Sequence, residues 1–331
     1  MNIKITLPDG SQKEYQQPVS ALQVASDISP RLADAAICAE VDGKLRDLDH
    51  LIEQDANLIL HTFKTSAGKE IYWHSTAHLM AQAVKQLFPG VKVTIGPAIE
   101  QGFYYDFDRD EPFTDEDLVK IEECMKELSK SDLHYQRREL SKAEAMEKFA
   151  EMGEDYKLEI LSEIPDTDTI STYQQGDFID LCRGPHISST GKIKAVKLLK
   201  TSGAYWRGDE KNKMLKRIYG ISFPSNKELA EYLDFLEQAA LRDHRKLGKD
   251  LDLFSINDEV GAGLVLWHPN GAMIRHLIEA YWKDEHLRRG YDLVYTPHMG
   301  RSNLWQTSGH LGFYKENMYS AMEVDDQQYY I

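Results

Sequence analysis

Cysteine is nearly absent. The chain has three in 331 residues, Cys38, Cys124 and Cys182, odd in number and widely spaced. Such a set argues against a disulfide framework and for a reducing compartment. Long apolar runs are missing too: nothing approaches the roughly 18 residues needed to span a bilayer. The opening MNIKITLPDG also lacks the apolar core of a signal peptide. A cytoplasmic protein with no membrane contact is therefore expected. Positive charge is in deficit, with 39 Lys and Arg against 54 Asp and Glu and a formal net charge of −15. Taken alone, that balance lowers the odds of nucleic-acid binding, which needs clustered cations. Two local clusters partly answer it: Lys192, Lys194, Lys197 and Lys200, and Arg242, His244, Arg245, Lys246 and Lys249. Either cluster taken singly reads first as solvated surface. Internal repeats and low-complexity tracts are absent as well.

What is present is globular material. Hydrophobic residues make up 42% of the chain, enough for two or three domains with their own cores. Residues 1–63 read as a β-grasp module. Ile3, Ile5 and Leu7 alternate with polar residues, Pro8 to Ser11 form a turn, and Ser20 can cap a short helix. Asp42-Gly43 is a hairpin signal. Residues 64–224 read as a second α+β region. It opens with a helix from His74 to Phe88, stopped by Pro89-Gly90. Aromatic strand material follows at Gly102–Phe107, then a charged helix whose Thr114 and Asp117 approach a capping box. A helix near Lys142–Met152 leads into irregular segments. Residues 225–247 read as one linker helix with Leu229, Leu233, Leu236 and Ala240 on a stripe. From 248 onward the spacing predicts a helix with Asn270 as N-cap and Gly290 as its stop, then a strand over 291–296 ended by Pro297.

The chemistry concentrates in two pairs. His74 and His78 stand i,i+4 on one helix, so both imidazoles project from one face. Cys182 and His186 share that spacing but enclose Gly184-Pro185, which places them on a turn. Two ligand-type side chains from a helix and two from a turn suit a four-ligand zinc site. They suit equally a metal-free pocket of acids, bases and polar contacts. Asp180 can orient a histidine ring, Arg183 can meet a phosphate, and Lys157 is a candidate cation. Tyr104 and Tyr105 fall on opposite faces of a strand, one toward core and one toward pocket.

HSTAH, IGPAIEQGFYYDF, FIDLCRGPH and TSGAYWRGDEKNKMLKRIYG occur in order. Together they resemble the editing domain shared by threonyl- and alanyl-tRNA synthetases. The N-terminal module resembles the small TGS domain that precedes it in bacterial threonyl enzymes. The stretch from LFSINDEVGAGLVLWHPNG to DLVYTPHM resembles the start of a class II synthetase core, and LWQTSGHLGFYKENMY continues the threonyl pattern. The resemblance spans essentially the whole chain. It implies an α+β multidomain protein: β-grasp domain (1–63), editing domain (64–224), linker helix (225–247) and the opening of an antiparallel class II catalytic core (248–331).

The resemblance further implies an ATP-dependent threonine–tRNA ligase that hydrolyses mischarged seryl-tRNA(Thr). Its partners are tRNA(Thr), threonine, serine and a second subunit held through the region from Asn270 to Pro297. His74, His78, Cys182 and His186 match the editing motifs, and Tyr105, Lys157 and Asp180 match other pocket residues. His74 or His186 is the expected base, Lys157 or backbone N–H groups the oxyanion donors, and Cys182 a sieve by size and polarity. In threonyl enzymes this pocket works without zinc, whereas the alanyl version holds it, so the resemblance weighs against zinc at His74, His78, Cys182 and His186. The ATP/Mg motifs and the zinc ligands of the ligase pocket are expected beyond Ile331, since no Cys follows Cys182 and His298 and His310 lie outside the zinc-ligand contexts. This chain alone is accordingly expected not to ligate, and to leave Trp305, Phe313 and Tyr314 exposing apolar surface. The alternatives are a freestanding trans-editing deacylase and a non-catalytic RNA-binding or regulatory fragment.

Overall fold

The computed structural model describes residues 2–16 and 18–331. They fall into two compact units, Met1–Leu236 and Glu237–Ile331.

The first unit begins with the expected β-grasp module. Its five-stranded sheet has the order Gln12–Tyr15, Ile3–Thr6, Ala56–Thr62, Ala36–Val41, Lys44–Arg46. The Ile3–Thr6 and Ala56–Thr62 strands run parallel. Ile3 and Ile5 point inward while Lys4 faces water, the period-2 pattern of a half-buried strand. Ser20 Oγ accepts the Gln23 amide at 3.2 Å and starts the helix Ala21–Ile28, whose Val24 and Ala25 are fully buried. Asp42 and Gly43 take φ of 46° and 79°, as a tight hairpin turn demands.

The helix that carries the histidines runs over Ser66–Leu87, so it starts well before His74. Thr65 caps it by accepting the Gly68 amide at 3.1 Å. Gly68 is required by close approach, because a Cβ there would lie 2.0 Å from the Thr62 carbonyl oxygen. This helix is buried on every side between Ile71 and Val84 save at His74, so no apolar stripe marks its ends. It packs on an antiparallel sheet of Ala195–Tyr205, Met214–Phe223, Gly102–Asp108 and Lys92–Val93. Tyr72 OH and Trp73 Nε1 donate to the Phe223 and Ser222 carbonyls, each at 2.9 Å, and lock helix to sheet.

Phe103, Tyr105 and Phe107 are all fully buried against the helix, while Tyr104 turns outward beneath the Arg217 guanidinium, 3.7 Å away. Asp115–Lys130 forms the charged helix, with the Thr114/Asp117 capping box complete. A smaller sheet of Gln136–Leu140, Ile170–Gln175 and Phe178–Leu181 carries Asp180. Between its first two strands lie the helices Lys142–Glu151 and Asp155–Glu163. The second falls within the segment read as irregular. It lacks a side-chain cap at Glu154, and it carries Lys157.

The expected linker helix is two helices, Asn226–Leu241 and His244–Asp250. Asp243 divides them, because its carboxylate accepts the Arg245 amide at 2.8 Å and caps a new start. In the second unit the main helix is Pro269–Arg288, with His268 rather than Asn270 at the cap and Pro269 in its first turn. Gly290 follows it at φ 85°. Residues 291–296 are not a strand. No strand pairs with them among the described residues, and Val294 and Tyr295 are 80% and 89% exposed. Phe313 and Tyr314 are exposed as expected, whereas Trp305 is half-buried beside the Tyr330 ring.

Candidate active site

The four motif residues converge. The helix Ser66–Leu87 presents His74 and His78 from one face, their ring centroids 4.8 Å apart. The turn after Phe178–Leu181 folds Cys182 and His186 over that face. Cys182 Sγ lies 3.0 Å from His74 Nε2 and 3.3 Å from His186 Nε2. Gly184, at φ 71°, permits the turn: a Cβ there would sit 2.0 Å from the Tyr173 hydroxyl.

The remaining ring nitrogens assign the tautomers. His74 Nδ1 lies 3.1 Å from the Gly96 carbonyl, which can only accept, so Nδ1 carries the proton. Ser75 donates its hydroxyl proton to the Ile71 carbonyl and therefore accepts from His186 Nδ1 at 2.9 Å. His78 Nδ1 faces Asp180 Oδ2 at 3.3 Å. His74 and His186 thus keep Nδ1–H toward an acceptor and Nε2 bare, while His78 holds Nδ1 beside the Asp180 carboxylate. One ligand-type atom from each of His74, His78, Cys182 and His186 lies within 4.8 Å of the other three. Bare Nε2 atoms backed by Nδ1–H acceptors, with one sulfur, fit a zinc ion.

Behind the cluster lies a buried polar network. Asp180 accepts the Tyr105 hydroxyl at 2.6 Å. The Lys157 ammonium meets Asp180 Oδ1 at 2.5 Å as an ion pair rather than an aligned hydrogen bond. It also donates to the Thr94 carbonyl at 2.5 Å and to the Tyr105 oxygen at 3.3 Å. Lys157 and Asp180 are only 2% and 1% exposed, so each charge is tolerated because of the other. Burial, reinforced by the Asp180 charge, holds the Tyr105 proton far above the usual phenol range.

Burial also lowers all three histidines, His78 and His186 furthest, and for those two the neighbouring imidazoles add to the effect. The Cys182 thiol is pushed up to about 12 by burial. Near neutral pH the cluster holds neutral imidazoles and a neutral thiol.

A cleft of about 1050 Å³ opens onto this cluster, lined among others by His74, Gly96, Lys157, Asp180, Cys182 and Arg183. His74 and Cys182 are half-buried at its wall, whereas His186 is buried behind them. Arg183 is exposed. Two of the expected cationic positions are already paired, Lys192 with Asp34 and Lys197 with Glu122. Arg245 is held by Asp243.

Sequence reading missed Ser75, Gly96, Tyr173 and Asp47, which position the ligand-type side chains without resembling catalytic residues. Ser75 and Gly96 had a local signal, standing inside HSTAH and IGPAIEQGFYYDF. Asp47, which accepts the His186 amide at 2.7 Å, lies 139 positions away.

Known proteins agree with this architecture. The TGS domain matches residues 3–62, and the "Threonyl and Alanyl tRNA synthetase second additional domain" matches residues 170–219. Among similar proteins, the threonine–tRNA ligase of Nitrosococcus oceani is 54% identical over 98% of this chain and 50% of its own length. That of Geobacter sp. strain M21 is 56% identical over 99% of this chain and 51% of its own. That of Caldanaerobacter subterraneus subsp. tengcongensis is 51% identical over 99% and 50%. The chain spans about half the length of the relatives it matches.

Proposed function

We propose that this chain, which carries a TGS domain and a threonyl/alanyl second additional domain and matches the N-terminal half of threonine–tRNA ligases, edits mischarged seryl-tRNA(Thr) by hydrolysis. The need for such a site is energetic. Serine lacks one methyl of threonine, and one methyl changes binding by only about 1–3 kcal/mol, so a ligase pocket sized for threonine admits serine. A second, tighter pocket can accept the smaller ester and hydrolyse it.

The observation that carries the reading is His74 at the cleft wall, with Nε2 bare and Nδ1–H fixed by the Gly96 carbonyl. A neutral imidazole so held can take a proton from water attacking the ester carbonyl. His186 is less suited as the base, because it is 1% exposed behind Cys182. Cys182 offers a neutral thiol at the wall, which suits a contact that sizes the aminoacyl group better than a thiolate nucleophile. Lys157 serves to fix Asp180, and Asp180 to fix His78, rather than donating to the oxyanion. His74, His78, Cys182 and His186 are the residues that would hold a zinc ion, which when bound supplies Lewis-acid polarisation. Arg183, exposed at the cleft, is the cation that suits the phosphates of the tRNA 3′ end.

The proposal extends to the whole protein as a cytoplasmic, ATP- and Mg-dependent threonine–tRNA ligase with a zinc-containing ligase pocket and a homodimeric core. The apolar face of Pro269–Arg288 supports the dimer: Leu277, Ile278, Tyr281 and Trp282 are each more than half exposed. Among the described residues no helix is long and apolar enough to cross a membrane. The test of editing is single-turnover hydrolysis of seryl-tRNA(Thr) by the purified chain. Loss of the activity in His74→Ala is expected, and undiminished hydrolysis by that variant would remove the assigned base.

A further inference from the structure

The N-terminal module has no part in the reaction as described, yet one of its carboxylates enters the site. Asp47 lies between the strands Lys44–Arg46 and Leu51–Ile52, next to Leu48, which is buried in the module's own core. Its Oδ1 accepts the His186 amide and its Oδ2 accepts the Tyr173 hydroxyl, both at 2.7 Å. Those two groups define the seat of the Cys182–His186 turn. The Tyr173 ring meets the His186 imidazole edge-on, with centroids 4.4 Å apart. On its own faces His186 is stacked by Tyr135 and His74, at 5.0 and 4.7 Å. The Tyr173 hydroxyl also fills the space a Cβ would take at Gly184. Ile37 and Cys38 of the module share one core cluster with the histidine-bearing helix, so Asp47 acts from a fixed base.

We propose that Asp47 is a positioning residue of the editing site, through which the N-terminal module sets the register of the Cys182–His186 turn against His74 and His78. This rests on the editing reading above.

The test uses the full chain and single-turnover hydrolysis of seryl-tRNA(Thr), comparing Asp47→Leu with Asp47→Asn. Leucine fills the volume and accepts nothing. Asparagine can still accept the His186 amide and pair with the Tyr173 hydroxyl. Asp47→Leu is expected to lower the rate constant about 10- to 100-fold, with the half-saturating concentration within about twofold, as losses of ligand-orienting partners do. Asp47→Asn is expected to stay within about threefold of the parent. Asp34→Ala, which removes only the surface pairing to Lys192 at the same junction, is expected to match the parent.

A folded Asp47→Leu within about threefold of the parent overturns the proposal, as does an Asp47→Asn as impaired as Asp47→Leu. Should Asp47→Leu be unfolded by circular dichroism, Tyr173→Phe decides: a loss of about threefold or more supports the role, and an unchanged rate overturns it. Should the parent chain itself hydrolyse nothing, the editing reading fails. Amide exchange over residues 183–188 then tests the positioning alone: faster exchange in Asp47→Leu sustains it, and equal exchange removes it.

Discussion

Asp180→Asn is the most informative single change in the buried network. It deletes one charge among groups that water does not reach. Asp180 and Lys157 are 1% and 2% exposed and meet at 2.5 Å. At an effective dielectric of about 20 their gross attraction is about 6–7 kcal/mol, set against the desolvation of both ions. The substitution forfeits the attraction and leaves the Lys157 ammonium buried beside a neutral amide. Breaking a buried pair in this way costs about 3–5 kcal/mol. That is a large part of the roughly 5–15 kcal/mol that holds a domain folded. Asp180→Asn combined with Lys157→Met removes both charges, so the double variant should recover at least about half of the loss. Urea unfolding at pH 7.5, followed by far-ultraviolet circular dichroism, gives the three free energies. An Asp180→Asn within about 1 kcal/mol of the parent, or a double variant no more stable than the single, would refute the account of this pair.

The buried histidines make stability pH-dependent. His74, His78 and His186 bind protons less readily folded than unfolded, so stability falls as pH drops below about 6.5 toward their depressed values. For His78 and His186 the loss between pH 7.5 and 5.5 should be about 1 kcal/mol each, read from urea midpoints, and midpoints flat over that range would contradict it. Cys182, its thiol raised to about 12 by burial, should react with iodoacetamide at pH 7.5 far more slowly than free cysteine. Rapid alkylation of the metal-free chain at that position, located by mass spectrometry, would contradict this. Gly96→Ala places a Cβ 2.1 Å from the Tyr105 ring and displaces the carbonyl that fixes His74. Seryl-ester hydrolysis should fall at least about tenfold in that variant, and an unchanged rate would argue against the fixed tautomer.

The parts of the fold legible in sequence were those fixed by short-range hydrogen bonding. The Asp42-Gly43 hairpin, the Ser20 cap and the Thr114/Asp117 capping box each state their structure within four residues. The HSTAH spacing gave the shared face of His74 and His78 for the same reason. The start of their helix was not legible, because a helix buried all round has no apolar stripe and Thr65 is one cap among many polar residues. Asp155–Glu163 lacked a side-chain cap altogether. The stretch 291–296 shows the opposite failure. Its β-type residues state a propensity, but a strand exists only with a hydrogen-bonded neighbour. Asp47 was invisible because its role depends on tertiary packing that carries it across 139 positions to the His186 amide.

Selectivity between the two esters tests the central claim most directly. Rates measured on seryl-tRNA(Thr) and threonyl-tRNA(Thr) under single-turnover conditions should differ by at least about tenfold in favour of the seryl ester, since the pocket must exclude one methyl group. The preference should also depend on Cys182. Equal hydrolysis of both esters, or hydrolysis of neither, would contradict an editing site built on His74 and Cys182.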